Sequence, residues 1–483
     1  MIDRIKQLEK LSQSLEPTAE ERALLLEKVT QYANTILANI NHVPAYQATT
    51  DEGIGLYDSP ISEEPIDIDT ALNLIKHNVD RPGVNVGSGG YLCFIPGSGL
   101  YHSALADYIA AVTNRYAGVF FASPGAVRME KLLLRWIANL IGYPETATGD
   151  LTSGGSIANL VGIVTARDAF NLKATDFERS VVYLTKQAHH SIEKALRIAG
   201  LKECIKRFIS FDEHYRMKTD MLEQAILNDK KLGLNPWLIV AAAGTVDTGA
   251  VDPLDSIANI AQAYQLWLHV DGAYGGAFAL CDMGKKILQG IERSNSMIID
   301  PHKGLFLPFG TGAVLVREGE KLRQAHSYEA SYLQDTEKLA SSDEISPAEL
   351  SPELSRHFRG LRLWLPLKLV GVAPFRAALE EKLLLARYFF EKMQSIDGFE
   401  LGPYPDLSIV TYRYIPKRGD VNEFNQQLNN AVQKDGRIFL SSTRIDGKFM
   451  LRLAVLGFRT HLDRIDQAID ILQKKARMLS GKL

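Results

Sequence analysis

A chain of 483 residues can bury a large core, and its composition, 46% hydrophobic and 23% charged, is that of a globular protein. With 54 Lys and Arg against 57 Asp and Glu, the formal net charge of −3 offers no basic excess for nucleic acid or an anionic membrane. Cys93, Cys204 and Cys281 have no CxxC spacing for a disulfide framework or a zinc site. No run of about 18 apolar residues is present, and Met1-Ile2-Asp3-Arg4 lacks a basic-then-apolar leader pattern, so a soluble, cytoplasmic protein is expected.

In chain order, residues 1 to about 40 read as helical. Thr18 can cap a helix whose first turn holds Glu20 and Glu21, and Leu24, Leu25, Val29, Tyr32 and Ile36 recur at helical spacing. The glycine-dense stretch from Pro82 to Tyr101 has no GxGxxG fingerprint, so no dinucleotide site is expected there. Helices are predicted over Ala104–Asn114 and Val127–Ile141, flanking the apolar, aromatic stretch Tyr116–Pro124, which can line a pocket. From Asp150 to Arg317, short β-rich runs alternate with helical stretches. That alternation predicts an α/β fold with a largely parallel sheet covered on both faces, and Gly312–Arg317 adds a strand that can be antiparallel. Leu363–Met393 reads as a helix bent at Pro366 and Pro374, and a smaller α+β region follows. The expected division is a helical segment over 1–85, a large domain over 86–375 and a small domain over 376–483.

Chemistry concentrates where strands of the large domain end, the place where such sheets bind ligands. Thr152-Ser153-Gly154-Gly155-Ser156 opens a helix and can present backbone N–H groups to a phosphate. His189 follows a strand and can stack on a flat ligand or move a proton, with His190 a spare or structural neighbour. Thr245 can offer a hydroxyl, while Asp252 before Pro253 reads as a helix cap. Asp271 ends an apolar strand, where a carboxylate needs a cationic partner, and Gly272 and Ala273 leave room for a planar ring. Lys303 emerges from the core directly after Met297-Ile298-Ile299-Asp300-Pro301-His302. A lysine near apolar surroundings has its charged form disfavoured, which favours a nucleophilic amine. A phosphate cradle, a stacking histidine, a buried aspartate and such a lysine together suit pyridoxal 5'-phosphate, with no metal required.

These residues lie within longer matching text: Phe94-Ile95-Pro96, Ala122-Ser123-Pro124, Gln187 to Ser191, Trp267 to Gly276, Pro301-His302-Lys303, Leu354 to Trp364 and Gly447 to Arg452. Through them the chain resembles, over almost its whole length, the pyridoxal-phosphate-dependent group II decarboxylases, the family of aromatic-L-amino-acid, histidine and glutamate decarboxylases. The resemblance implies fold type I, a mostly parallel seven-stranded sheet, and a homodimer with its active site at the subunit interface. It implies Lys303 as the Schiff-base lysine, Asp271 as partner of the pyridine nitrogen, His189 stacked on the ring and Ala273 on its opposite face. Gly155, Ser156 and His302 would surround the phosphate. Thr245 falls in a Gly-Thr-Thr element whose second threonine is Val246 here. Arg359 would meet the substrate carboxylate or anchor the lid.

The implied reaction is decarboxylation of an L-amino acid to the amine and CO2. Phe94, Ile95, Tyr116 and Phe120 favour an aromatic or large apolar side chain, while Arg115 keeps an acidic substrate open. The family's lid tyrosine is missing: Leu333–Leu354 contains none, the expected place falls near Ser346-Pro347, and Tyr328 and Tyr332 lie just before. Oxidative deamination to an aldehyde, or carbon–carbon lyase chemistry as in the sphingosine-phosphate lyases, therefore stays open. A non-catalytic cofactor-binding homologue is a third reading, opposed by the intact Asp271 and Lys303.

Overall fold

The computed structural model describes residues 1–95, 97–328 and 344–481. Its centre is a seven-stranded sheet of β1 (Thr148–Thr152), β2 (Ser180–Thr185), β3 (Ile205–Ile209), β4 (Asn235–Ala242), β5 (Trp267–Asp271), β6 (Ser296–Ile299) and β7 (Gly312–Val316), in the order β1-β7-β6-β5-β4-β2-β3. Neighbours from β3 through β6 are parallel, and β7 runs antiparallel to both β6 and β1.

The strands are nearly continuous apolar runs because both faces are covered. Val181 and Tyr183 of β2, Ile239 and Ala241 of β4, and Leu268 and Val270 of β5 point into one core. Their alternates Val182, Leu184, Leu238, Val240 and Trp267 point into a second core.

The C-terminal sheet contains β8 (Phe399–Leu401), β9 (Ile409–Tyr414), β10 (Phe439–Ile445) and β11 (Lys448–Ala454), in the order β8-β9-β11-β10. Tyr91–Leu92 pairs parallel to β10, so a segment far upstream completes the small sheet. The stretch Leu363–Met393 is two helices, Gly360–Val370 and Ala373–Gln394. Pro366 sits inside the first, and Pro374 opens the second, where its missing N–H costs nothing. At the N-terminus, Thr18 accepts from the Glu21 amide at 3.2 Å while the Glu21 carboxylate accepts from the Thr18 amide at 2.7 Å, a reciprocal cap on Ala19–Asn39. No residue of that helix is buried in the single chain. Among the described residues no helix is long and apolar enough to cross a membrane.

One buried ion triad ties the periphery to the sheet. Arg356 bonds both Glu130, on the helix Pro124–Ile141, and Asp150 of β1. All three side chains are at most 2% exposed. Burial pushes the Glu130 carboxyl up to about 7, with Asp150 adding to the push and Arg356 opposing it. A carboxyl raised in the folded state stabilises most below its unfolded value of 4.5, and that contribution is lost as pH rises toward 7.

Replacing Arg356 by Met removes the guanidinium that joins Glu130 to Asp150, and breaking a buried pair in this way costs roughly 3–5 kcal/mol. The measurement is the urea midpoint at pH 7, where an unchanged value would contradict the triad's role. In wild type, Glu130 lowers stability between pH 4.5 and about 7, and Glu130→Gln flattens that part of the profile.

Candidate active site

The carboxyl ends of β2, β4, β5 and β6 open onto a cavity of about 320 Å³. Lys303, Asp271, His189, Ala273, Thr245 and the turn Ser153–Ser156 line it. The fold brings them together because β5 and β6 run parallel with Asp271 opposite Ile298, so the chain leaving β6 reaches the rim beside Asp271. There Pro301 ends the strand and starts a single helical turn, Pro301–Gly304, that carries His302 and Lys303.

Asp300, which precedes that turn, is a site residue the sequence reading passed over. Its Oδ2 lies 3.0 Å from Lys303 Nζ, and the carboxylate is 2% exposed. Its Oδ1 is buried without a hydrogen-bond partner. A Cβ on Gly155 would stand 2.9 Å from Asp300, so the carboxylate lies against the first residue of the helix Gly155–Ala169, at its positive end. Gly154 enters that helix at φ 152°, a conformation that only glycine adopts readily. His302 donates from Nδ1 to the Thr311 carbonyl at 2.6 Å, burial lowers its pKa although Asp300 opposes the shift, and its Nε2 lies 3.7 Å from Asp300 Oδ2.

Asp271 is held by neutral donors. Its Oδ1 accepts from the Ala273 amide at 3.2 Å and its Oδ2 from Asn159 Nδ2 at 3.1 Å. Neither donor is cationic, and Lys303 is the lysine that shares the cavity wall with Asp271, Asp252 and Asp300. His189 Nδ1 faces the Ser191 hydroxyl at 2.6 Å and accepts from the Ser191 amide at 3.2 Å, which places the ring proton on Nε2. Burial lowers its pKa more than Asp271 raises it, so the imidazole is neutral.

Other expected residues sit differently. The Thr245 hydroxyl is satisfied internally, by Thr248 at 2.8 Å and the Ala250 amide at 3.2 Å, although the residue lines the cavity. Asp252 is not a helix cap. Its carboxylate accepts from Met217 at 2.7 Å and Ala242 at 2.8 Å, and Pro253 heads the following helix without a side-chain cap. Ile95 lines the cavity, but Phe94 is 58% exposed, Tyr116 is 38% exposed, and Phe120 is buried with its amide on the Ser346 hydroxyl. Arg115 is exposed. Arg359 spends its guanidinium on Glu353, at 2.6 and 2.9 Å, and on the Leu151 carbonyl at 3.2 Å, an anchoring geometry. Ser346-Pro347 opens a short turn capped by Glu349. Tyr328 is 87% exposed, and Tyr332 lies outside the described residues.

Pyridoxal phosphate fits this donor set. Asp271 has lone pairs facing the cavity that call for a cationic ring nitrogen, and the glycine turn leaves a cradle that a Cβ would fill. When bound, the cofactor supplies the electron sink for breaking a bond at the substrate's α-carbon.

Comparison with known proteins agrees. The model of the pyridoxal-dependent decarboxylase conserved domain matches residues 56–415. An aromatic-L-amino-acid decarboxylase of Bacillus atrophaeus is 33% identical over 478 residues, covering 97% of this chain and 98% of the relative. A phenylacetaldehyde synthase of Petunia hybrida is 29% identical over 441 residues, covering 87% of each. The fold is shared with an Oryza sativa TDC solved with PLP and tryptamine, at a TM-score of 0.90 and 24% identity over 96% of this chain and 99% of that one. The chain belongs to the pyridoxal-dependent decarboxylase family and is a pyridoxal-phosphate-dependent amino acid carboxy-lyase.

Proposed function

We propose that this enzyme decarboxylates aromatic L-amino acids to the corresponding amine and CO2, with Lys303 as the lysine that holds the cofactor covalently. The observation that carries the reading is the convergence of Lys303, Asp271 and His189 on one cavity beside the Gly155 helix start. In this reading Asp271 keeps the pyridine nitrogen protonated, and His189 and Ala273 take the two faces of the ring. Gly155, Ser156 and His302 surround the phosphate. The neutral state of His189 matters, because a cationic ring there would compete for the Asp271 carboxylate. The aromatic preference is supported by the similarity to the Bacillus atrophaeus decarboxylase.

A second outcome has its own support. No tyrosine occurs from Leu333 to Leu354, and the chain is also similar to a phenylacetaldehyde synthase. In that outcome O2 and water are consumed, and CO2, ammonia, hydrogen peroxide and an aldehyde are released. For assembly we infer a homodimer. The N-terminal helices leave Ile5, Leu11, Leu24 and Val29 between 45% and 70% exposed, an apolar surface that a second copy would cover.

Lys303→Ala abolishes the near-visible cofactor band and amine production together, and a retained band would overturn the assignment. Asp271→Asn removes a charge-assisted hydrogen bond worth about 1.5–3 kcal/mol, a roughly 10- to 150-fold loss in kcat/KM. A panel of amino acids scored for CO2, amine and peroxide decides the outcome. Aromatic substrates yielding amine without peroxide support the main reading, while peroxide in step with CO2 supports the aldehyde route. Light scattering reads a dimer, and a fully active monomer would contradict the assembly.

A further inference from the structure

Behind Asp271, a chain of buried polar side chains runs between the sheet and the helix Gly155–Ala169 and reaches the cavity wall at Asn159 and Ser191. Trp267 Nε1 donates to Ser296 Oγ at 2.8 Å, and Ser296 Oγ meets His269 Nδ1 at 2.8 Å. His269 Nε2 lies 2.9 Å from Asn159 Oδ1. From Asn159 the chain forks, because Nδ2 donates to Asp271 Oδ2 at 3.1 Å and to Ser191 Oγ at 2.9 Å. Ser191 in turn reaches His189 Nδ1 at 2.6 Å. His269 and Ser296 are 0% exposed, Asn159 is 1% exposed, and Trp267 and Ser191 are 2% exposed.

Counting protons gives the chain a direction. Asn159 Nδ2 must donate twice, since a carboxylate can only accept. Its Oδ1 is therefore the acceptor, and His269 Nε2 carries the proton. His269 Nδ1 is then a lone pair and takes the Ser296 hydroxyl proton, while Ser296 accepts from the indole. At the other end, Ser191 accepts from Asn159 and gives its proton to His189 Nδ1. Turning the Asn159 amide over would set its oxygen against the Asp271 carboxylate and leave the His269 N–H aimed at an N–H. The helix also makes room for this ring: a Cβ on Gly162 would stand 2.7 Å from His269 Cε1.

We propose that His269, which touches neither the cavity nor solvent, is a positioning residue that fixes the Asn159 amide in the orientation joining Asp271 to His189. The group proposed beneath the ring nitrogen and the group proposed on the ring face are thereby held by a single amide. This rests on the reading that Asp271 and His189 face the cofactor, and it adds that they are set as a pair. Removing His269 frees the amide to rotate and loosens both contacts at once.

The experiment compares holoenzymes of wild type, His269→Leu, His269→Gln and Gly162→Ala, and reads the cofactor dissociation constant from the visible band without substrate. Steady-state kcat and KM, and the unfolding temperature of each apoprotein, are measured beside it. A glutamine can donate to Asn159 Oδ1 as the imidazole does, whereas a leucine cannot. His269→Leu is expected to weaken cofactor binding and lower kcat by roughly tenfold or more with KM little changed, and His269→Gln to restore most of both. Gly162→Ala displaces the ring without removing a hydrogen-bonding group, so it shifts both quantities in the same direction if His269→Leu cannot be obtained folded. Equal behaviour of the Leu and Gln variants would overturn the proposal, as would a lower apoprotein unfolding temperature with cofactor affinity and kcat unchanged. The affinity reading involves no substrate, so it is independent of which amino acid the enzyme uses. Failure of the cofactor reading itself would show separately, as a wild-type protein without a band.

Discussion

An aspartate at the end of a buried parallel strand cannot keep its charge unless fixed donors replace the water it has lost. At Asp271 those donors come from the residue two positions on and from a helix more than a hundred positions upstream. Neither donor is charged, so the carboxylate keeps its full attraction for a cation arriving in the cavity. Parallel pairing then does the rest. With β5 and β6 in register, the chain that leaves β6 delivers Lys303 to the same rim, and the lysine needs only one helical turn to get there.

The charges around the cavity are sorted by position. Lys303 and Asp300 form one close pair beside the helix start, Asp271 stands on the neighbouring strand, and His189 and His302 are both driven toward neutrality by burial. An anion placed at the Gly154–Ser156 turn meets a helix N-terminus, while a cationic ring nitrogen meets Asp271. Asp300 Oδ1 is buried and unpartnered at the cradle. Its nearest support is the positive end of the helix it touches.

Regions farther out are held by different means. Arg356 and Arg359 both spend their guanidinium groups on carboxylates, so the segment around them is clamped to β1 and to the helix Pro124–Ile141. Phe94 and Tyr116, candidates for contacting the substrate, remain at the surface of the single chain. That placement accords with a site finished by a second copy, as does the exposed apolar surface of the N-terminal helices.

Much was legible along the chain because it is written in local terms. The β-branched runs marked strands of the large sheet, Thr18 with Glu21 marked a helix start, and the order of Gly155, His189, Asp271 and Lys303 named a cofactor. Periodicity reports that a segment has a buried face, but it does not say which neighbour covers that face. Hence the pairing of Tyr91–Leu92 with β10 could not be read, and Asp252 looked like a helix cap when its carboxylate in fact pins two distant amides. The sequence assigns no role to Asn159 or to His269. Their partners, Asp271, Ser191 and Ser296, come from other elements, and hydrogen bonds of that kind exist only once the sheet has closed against its helices. The residue types and their order therefore determined the chemistry available to this protein. Tertiary structure alone decided how those groups are aimed, because aim depends on donors and acceptors that the chain brings together from far apart.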